Sequence, residues 1–190
     1  ELLLNLSASP GSLGKEHCRH VLLSQLSAKC GCPVVYCNLV GGNDELVFDG
    51  SSQYYNGHGV LGASGAMFAE DLLLIDTETI EPKSSDTSND NEKIYRALSL
   101  GVRDYLHKCG FESAVIGLSG GIDSAVTAAV AVDALGPEKV RGVALPSQYS
   151  SQGSLDDAEG LAQALGIRYD VVPIEPVFEQ LKSQLVDLFE

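Results

Sequence analysis

Short apolar runs divided by glycine, proline and polar residues fill the first part of the chain, a pattern typical of β-strands. One longer segment, from about residue 14 to residue 29, has the spacing of a helix. The dipeptide Asp49-Gly50 follows an apolar run and predicts a hairpin turn at that point. The predicted strands cover residues 2–6, 34–38, 46–48 and 71–75, with one more near Val60.

From about residue 92 onward, helices and strands are predicted to alternate. Apolar residues recur at helical spacing between Ile94 and Leu106, and Gly110 follows as the expected end of that helix. The strands and helices after it alternate at a regular pitch, which predicts right-handed crossovers and a parallel sheet. The strands are expected at 113–118, 140–145 and 169–172, and the helices at 123–135, 154–165 and from 177 onward.

A polar segment separates these two patterns. Residues 77–91 are rich in Ser, Thr, Asp, Asn and Glu and contain Pro82, as expected of an exposed interdomain linker. We therefore expect a first domain over residues 1–76 and a second over residues 92–190. The chain opens on an apolar strand pattern and closes inside an amphipathic helix pattern, so both ends are expected to continue into a longer polypeptide.

The segment Gly117–Ser124, with the sequence Gly-Leu-Ser-Gly-Gly-Ile-Asp-Ser, stands where a predicted strand ends and a predicted helix begins. Glycines allow a tight turn and let backbone N–H groups approach an oxygen, and a helix N-terminus carries about half a positive charge. Ser119 and Ser124 add hydroxyl donors. The segment therefore predicts a phosphate-binding loop.

Asp123 is an acidic residue within this predicted phosphate site, and a bridging magnesium ion would relieve the repulsion. The simpler interpretation is a flexible turn in which Asp123 or Ser124 caps the following helix. Six consecutive fitting residues at a strand–helix junction favour the phosphate role. The loop has neither the Walker A pattern nor G-x-G-x-x-G, so γ-phosphate transfer and Rossmann-type dinucleotide binding are not favoured.

The run Ser-Gly-Gly-Ile-Asp-Ser at 119–124 resembles the signature of the ATP pyrophosphatases, which cleave ATP between its α- and β-phosphates. The resemblance implies ATP and Mg²⁺ as cofactors, with Asp123 as the metal ligand and Ser119 as a catalytic residue. It also implies that residues 92–190 form the first half of a doubly wound parallel-sheet domain of the adenine nucleotide alpha hydrolase-like kind. The implied ATP contacts in the loop are Gly117, Leu118, Ser119, Gly120, Gly121, Ile122, Asp123 and Ser124.

The residues on either side of the loop indicate which family of ATP pyrophosphatases the chain resembles. Leu98–Tyr105 before it, and Ala144–Ser151 and Gly153–Ala158 after it, are similar to the NAD synthetases. In that family the segment after the second strand lines the adenosine pocket, which implies that Leu145 contacts ATP and that the loop after Leu145 also approaches the base.

Several serines follow Leu145. Ser147, Ser150 and Ser151 are either further ligands or ordinary loop and cap residues. Ser154 is predicted to be the N-cap of its helix, with Asp157 at the N3 position.

The first 75 residues resemble the C-terminal half of a nitrilase-like amidase, most clearly at residues 5–10, 33–38 and 41–50. A nitrilase-like glutaminase followed by a pyrophosphate loop on one chain is the layout of the glutamine-dependent NAD synthetases. The implied fold class is α/β, with residues 1–76 forming the C-terminal part of an α-β-β-α sandwich.

The resemblance implies a carbon–nitrogen ligase that amidates deamido-NAD to NAD with ATP and glutamine and releases AMP and pyrophosphate. A Glu-Lys-Cys triad hydrolyses glutamine in one domain, and the other domain adenylates the deamido-NAD carboxylate so that ammonia attacks it. The family's triad would precede Glu1, so the chain by itself is expected to be inactive. By the same resemblance the parent enzyme is a homo-oligomer.

Two residues of the first part are implied to contact glutamine. In the family, the positions of Ser9 and Lys15 hold the α-carboxylate of glutamine or its surroundings. A turn serine and a solvated lysine are the alternative interpretation.

The 190-residue chain has a net charge of −14, from 12 basic and 26 acidic side chains, which argues against nucleic acid or an anionic membrane as the main partner. Its five cysteines show no regular spacing, and Cys30-Gly-Cys32 has no second pair, so reduced thiols in a cytoplasmic protein are favoured over a zinc site.

Two other functions stay open. One is another ATP pyrophosphatase, such as a tRNA-modifying enzyme, and the other is a non-catalytic nucleotide-binding module.

Overall fold

The computed structural model describes residues 1–77 and 88–189. The chain divides into two compact units, Glu1–Tyr105 and Leu106–Glu190. Most of the predicted linker, residues 78–87, lies outside the described residues, and the domain bounds 1–76 and 92–190 remain predictions. No helix in the described part of the chain is long and apolar enough to cross a membrane.

The first unit contains a four-stranded sheet, a two-stranded sheet and a helix between the first two strands. In the larger sheet, whose order is β1-β2-β5-β6, β1 and β2 are parallel and the other pairs are antiparallel. The helix ends at Gly31, which adopts the left-handed conformation usual at a helix C-terminus. The elements are β1 (Leu3–Ser7), α1 (Lys15–Cys30), β2 (Val34–Asn38), β3 (Val40–Asn43), β4 (Leu46–Asp49), β5 (Gln53–Tyr55) and β6 (Leu61–Ser64).

The hairpin that includes β4 has its turn elsewhere than the sequence predicts. β3 pairs with β4, and the turn between them is Asp44-Glu45, where Asp44 has a φ of 51°. An aspartate tolerates this left-handed conformation better than most residues, because its short polar side chain bonds locally. Asp49-Gly50 instead carries the chain from β4 into the other sheet. The prediction of a hairpin turn at Asp49-Gly50 is therefore wrong.

The strand predicted over residues 71–75 is also absent. The described residues form no ladder there, and the side chains of Leu72 and Leu74 are largely exposed. Asp71 accepts a hydrogen bond from the Ala66 N–H (2.9 Å), so it caps a turn. An apolar run without a pairing partner does not form a strand, and periodicity alone does not reveal the partner.

The helix α2 (Asp90–Lys108) crosses the limit between the two units. Its first turn is capped by Asn89, whose Oδ1 accepts a hydrogen bond from the Glu92 N–H (3.0 Å). It ends before Gly110, which has a φ of 78°, as predicted. Within the first unit, Gly101 of this helix lies so near Gly42 of β3 that a Cβ on Gly42 would be 3.0 Å from the Gly101 Cα.

The second unit is a three-stranded parallel sheet with order β7-β8-β9, connected by helices. Its core joins apolar residues of α3, α4 and the sheet, including Leu118, Ala128, Val140 and Ala162. The strand–helix alternation predicted from the sequence is confirmed here. The elements are β7 (Ala114–Gly117), α3 (Ile122–Leu135), β8 (Val140–Ala144), α4 (Gln152–Leu165), β9 (Arg168–Val171) and α5 (Glu175–Phe189).

Candidate functional site

The predicted phosphate loop lies between the end of β7 and the start of α3, at the carboxyl edge of the parallel sheet. The Leu118 N–H donates to the Val143 carbonyl (2.9 Å), which extends the β7–β8 pairing by one residue. The Leu118 side chain is buried in the core, and a Cβ on Gly142 would lie 2.6 Å from its Cδ1. Leu118 can therefore offer a ligand only its backbone.

Gly120 determines the shape of the loop. It has a φ of 77°, in the left-handed region that favours glycine. A Cβ at this position would lie 2.7 Å from the Cα of Ser154 in the first turn of α4. Any other residue would force the loop away from α4, so the close approach requires glycine.

The two serines of the loop lie side by side and are accessible. The Oγ atoms of Ser119 and Ser124 are 3.2 Å apart, and the Ser124 hydroxyl donates to the Gly121 carbonyl (2.8 Å). The Ser119 Oγ accepts a weak hydrogen bond from the Gly121 N–H (3.3 Å). These bonds hold the loop closed and leave hydroxyl groups at its surface.

The helices α3 and α4 begin in different ways. Gly121 is the N-cap of α3, and no side chain caps the helix. At α4 the Ser151 Oγ accepts a hydrogen bond from the Ser154 N–H (3.1 Å). The first N–H groups of a helix have no partner within it, so the start of α3 is open to an anion. The prediction that Ser154 is the N-cap of α4 is wrong: the N-cap is Ser151, three residues earlier, and Ser154 lies at N3.

A cleft of about 450 Å³ opens beside the loop, within the size range of small-molecule sites. Gly117, Leu118, Ser119 and Leu145 from the predicted set line it, whereas residues 120–124 do not. Ser150 and Ser151 line it as well, and Ser147 does not. Pro146 and Tyr149, from the loop that the resemblance implies lies near the base, line it too. The sequence missed Val143, Ala144, Ser154 and Leu155 as lining residues.

Asp123 fits a magnesium ion only together with a phosphate ligand. Its side chain is exposed in the first turn of α3. Across residues 1–77 and 88–189, no group of three or more Asp, Glu, His or Cys side chains is arranged to hold a metal ion. Mg²⁺ is commonly held by one or two carboxylates together with substrate phosphates, and Asp123 can supply one such carboxylate.

In the first unit, Ser9 lies on the loop between β1 and α1, and Lys15 is the first residue of α1. The Ser9 N–H donates to the Asn38 Oδ1 (2.8 Å), and the Asn38 Nδ2 donates to the Ser9 carbonyl (3.3 Å). The Lys15 ammonium donates to the Pro10 carbonyl (2.8 Å). The Lys15 side chain thus reaches the loop that carries Ser9, and the role of the two residues in glutamine binding stays a prediction.

Asn38 belongs to a buried polar network that the sequence did not predict. The Asp49 carboxylate accepts hydrogen bonds from Arg19 Nη2 (3.0 and 3.1 Å) and from Asn38 Nδ2 (2.9 Å). Arg19 also lies over the ring of Tyr36, with its guanidinium carbon 5.3 Å from the ring centre. These residues are far apart in sequence, so only the folded structure brings them together.

The NAD synthase family matches residues 94–188, which is half of the chain. A glutamine-dependent NAD(+) synthetase of Synechocystis sp. is 45% identical, over all of this chain and 35% of its own length. One from Aquifex aeolicus is 39% identical, over 94% of this chain and 38% of its own length. The chain therefore spans little more than a third of the relatives it matches.

A solved structure agrees with both units of the fold. The glutamine-dependent NAD+ synthetase of Acinetobacter baumannii, in complex with ADP, superposes with a TM-score of 0.93 and 35% identity. The match covers 100% of this chain and 37% of the other. With the family match over the phosphate loop, the recognition made from the sequence is confirmed, and the chain belongs to the NAD synthase family.

Proposed function

We propose that the chain is part of an enzyme that amidates deamido-NAD to NAD, with ATP as the activating substrate and glutamine as the nitrogen donor. Its relatives are named glutamine-dependent NAD(+) synthetases, and the Acinetobacter baumannii relative holds ADP. The single observation that carries the proposal is the uncapped start of α3 beside a loop of the expected sequence and a cleft of about 450 Å³. This arrangement suits the phosphates and nucleoside of ATP.

The second unit would bind and activate ATP. The deamido-NAD carboxylate attacks the α-phosphorus, and pyrophosphate leaves with the electrons of the broken P–O bond. The N–H groups at the start of α3 and the Ser119 and Ser124 hydroxyls stabilise the charge that develops on the departing pyrophosphate. Asp123 would hold Mg²⁺, which supplies further positive charge next to the phosphates. Ammonia then attacks the adenylated carboxyl group, and AMP leaves.

The first unit would contribute to the glutaminase. We propose that residues 1–76 are the C-terminal part of a nitrilase-like sandwich, and that Ser9 and Lys15 contact the α-carboxylate of glutamine. The Ser9 backbone is held by Asn38 at both its N–H and its carbonyl, so this loop has a fixed position. A fixed loop suits a site that must hold a substrate group in one place.

The ATP site is tested by calorimetric titration of the 190-residue chain with ATP and Mg²⁺. Saturable binding is expected, and Asp123→Asn should weaken it about tenfold or more, because the metal loses its protein ligand. Asp133→Asn is the matched control, since Asp133 is exposed on the same helix. Equally tight ATP binding by Asp123→Asn and Asp133→Asn would show that Asp123 does not hold the metal ion.

The reaction is tested in a chimera in which this chain replaces the matching segment of the Synechocystis relative. The chimera should form NAD from deamido-NAD, ATP and glutamine. Asp123→Asn should abolish NAD formation while glutamine hydrolysis largely persists, because the change lies only in the ATP-using part. If the Asp123→Asn chimera still releases pyrophosphate at the unaltered rate, the proposed role of Asp123 is wrong.

A further inference from the structure

The loop between β1 and α1 is held by its backbone, which leaves the Ser9 hydroxyl available. The Pro10 carbonyl accepts a hydrogen bond from the Lys15 ammonium (2.8 Å), and the Gly11 N–H donates to a carbonyl of β4 (2.7 Å). The Ser9 N–H and the Ser9 carbonyl both bond to the Asn38 side chain. Within the described residues, no hydrogen bond involves the Ser9 hydroxyl. The loop therefore fixes the place of a half-buried hydroxyl that a ligand can use.

The Asn38 amide can face this loop in only one orientation. Its Nδ2 donates to the Asp49 Oδ1 (2.9 Å) and to the Gly50 carbonyl (3.0 Å). Because only the NH₂ end of an amide donates, these two acceptors turn the Asn38 Oδ1 toward the Ser9 N–H, whose nitrogen is 2.8 Å away. Asp49 therefore determines which end of the Asn38 amide meets the loop.

Asp49 is held in place in turn. Arg19 donates from Nη2 to both oxygens of the Asp49 carboxylate (3.1 and 3.0 Å). Asn38, Asp49 and Arg19 are 8%, 2% and 7% exposed. A Cβ on Gly11 would lie 3.2 Å from the Asp49 Cβ, so Asp49 also packs directly under the loop. A buried network of this kind is rigid, because moving one member leaves a polar group unpaired and out of water. Displacing Ser9 is costly for that reason.

We propose that Asn38 is a positioning residue for glutamine, which sets the affinity for this substrate by placing the Ser9 hydroxyl against its α-carboxylate. The inference rests on the proposed function, because it requires Ser9 to contact glutamine. Asn38 acts through Ser9 and takes no part in breaking the amide bond of the substrate. Its loss should therefore raise the KM for glutamine and change kcat little.

The experiment measures glutamine hydrolysis by the chimera of this chain with the Synechocystis relative, over a range of glutamine concentrations. Asn38→Ala should raise the KM for glutamine about tenfold, since the hydrogen bonds that hold the Ser9 backbone are lost. Asn38→Asp keeps the volume of the side chain and loses the donor to Asp49, so it should raise the KM as well. This second variant provides the measurement if Asn38→Ala does not fold.

Ser27→Ala is the matched control for a loss of stability. Ser27 is a fully buried polar residue of the same unit, and its hydroxyl donates to the carbonyls of Cys32 and Asn56, at the opposite end of β2 from Asn38. Its loss should reduce stability and leave the KM for glutamine unchanged. If Ser27→Ala raises the KM as much as Asn38→Ala does, the effect is one of general destabilisation and the inference is overturned.

A cycle of single and double variants tests whether Asn38 acts through Ser9. Ser9→Ala should raise the KM for glutamine by itself. Adding Asn38→Ala should then raise it little further, because the hydroxyl that Asn38 places is already absent. Independent effects that multiply in the double variant would mean that Asn38 acts on glutamine by another route, and would overturn the inference.

The outcomes separate the inference from the function it rests on. If Ser9→Ala raises the KM and neither Asn38 variant does, the inference is overturned and the proposed contact of Ser9 stands. If the Asn38 variants lower kcat at an unchanged KM, Asn38 serves the fold alone, and the inference is overturned in that case too. If Ser9→Ala leaves the KM unchanged, the proposed contact itself fails, and the inference fails with it.

Discussion

The interiors of the two units are built from different side chains. Among the described residues, the buried polar and charged side chains all belong to the first unit: Arg19, Ser27, Asn38, Asp49, Ser51, Gln53 and Ser99. The buried residues described in the second unit are aliphatic or glycine, and the serines around its predicted phosphate loop are exposed or only partly buried. The polar groups of the first unit are therefore buried and stabilise its loops. Those around the loop of the second unit are accessible to a ligand.

This difference has an energetic consequence. A buried polar group without its partner costs its full desolvation free energy, whereas an exposed one is compensated by water. Replacing one of these buried polar residues in the first unit should therefore reduce stability. Replacing a polar residue or a glycine around the loop of the second unit should mainly reduce ligand binding. The predictions below test this contrast from the largest expected effect to the smallest.

The largest effect is expected from Asp49→Ala. Removing the carboxylate leaves Arg19 buried without its counter-ion and takes one partner from Asn38, which should cost about 3–5 kcal/mol of unfolding free energy. Hydrogen–deuterium exchange measures the effect for each unit, because amides of β2 should exchange much faster while those of β8 do not. Asp133→Ala, an exposed acid in α3, is the control and should leave both units unchanged. Unchanged exchange in β2 of Asp49→Ala would contradict the contrast.

The next largest effect concerns ligand binding in the second unit. Gly120→Ala should weaken ATP binding by roughly 100-fold, because a Cβ collides with Ser154 and a φ of 77° strains alanine. Gly153→Ala is the matched control, since a Cβ there meets nothing within 4 Å in the first turn of α4. Titration calorimetry measures both. Equal affinities in the two variants would show that the close approach at Gly120 does not shape the site.

The sequence predicts the second unit better than the first, and the reason is physical. In the second unit each strand pairs with the next strand along the chain, so the order of elements predicted from local periodicity also predicts the order of strands in the sheet. In the first unit β2 pairs with β5 while β3 and β4 form a separate sheet, and no local signal specifies such pairing. The hairpin at Asp49-Gly50 and the strand at 71–75 were predicted wrongly for that reason.

The candidate site divides in the same way. The loop at 119–124 can be singled out from the sequence because its glycines and serines are contiguous and stand at a strand–helix junction, and its phosphate role stays a prediction. Val143 and Leu155 were missed because nothing in their spacing marks a residue that lines a cleft. The network of Arg19, Asn38 and Asp49 was missed because its members are up to 30 residues apart.

A third prediction concerns alkaline pH and the interior of the first unit. Tyr55 is fully buried, and its hydroxyl donates to Gln53 Oε1 (2.9 Å) and contacts His20 Nδ1 (2.7 Å). Burial raises the pKa of Tyr55 to about 12, although the positive charge of Arg19 opposes the rise. A raised pKa of this kind contributes stability that is fully present below the unfolded value, about 10, and is lost as the pH rises through 12.

The unaltered chain should therefore lose roughly 2–3 kcal/mol through this residue between pH 10 and pH 12. Tyr55→Phe does not titrate, so its stability deficit at neutral pH should shrink across that interval. Urea unfolding at pH 9 and at pH 12 measures the change, with Tyr105→Phe as the half-exposed control. A deficit that stays constant with pH would mean that the Tyr55 hydroxyl ionises at the same pH in the native and unfolded states, so that burial does not raise its pKa.

The smallest expected effect concerns an exception to this contrast, a surface polar residue of the second unit that stabilises the fold. Ser151 is a surface polar residue of the second unit, yet it caps α4 through its hydrogen bond from the Ser154 N–H. Ser151→Ala should cost about 1 kcal/mol of unfolding free energy, and Ser151→Asp should restore it, because aspartate also caps well. Ser124→Ala should leave stability nearly unchanged and weaken ATP binding instead, since Gly121 rather than a side chain caps α3. If Ser151→Ala and Ser124→Ala reduce the unfolding free energy equally, the Ser124 hydroxyl stabilises the fold as well as contributing to ligand binding.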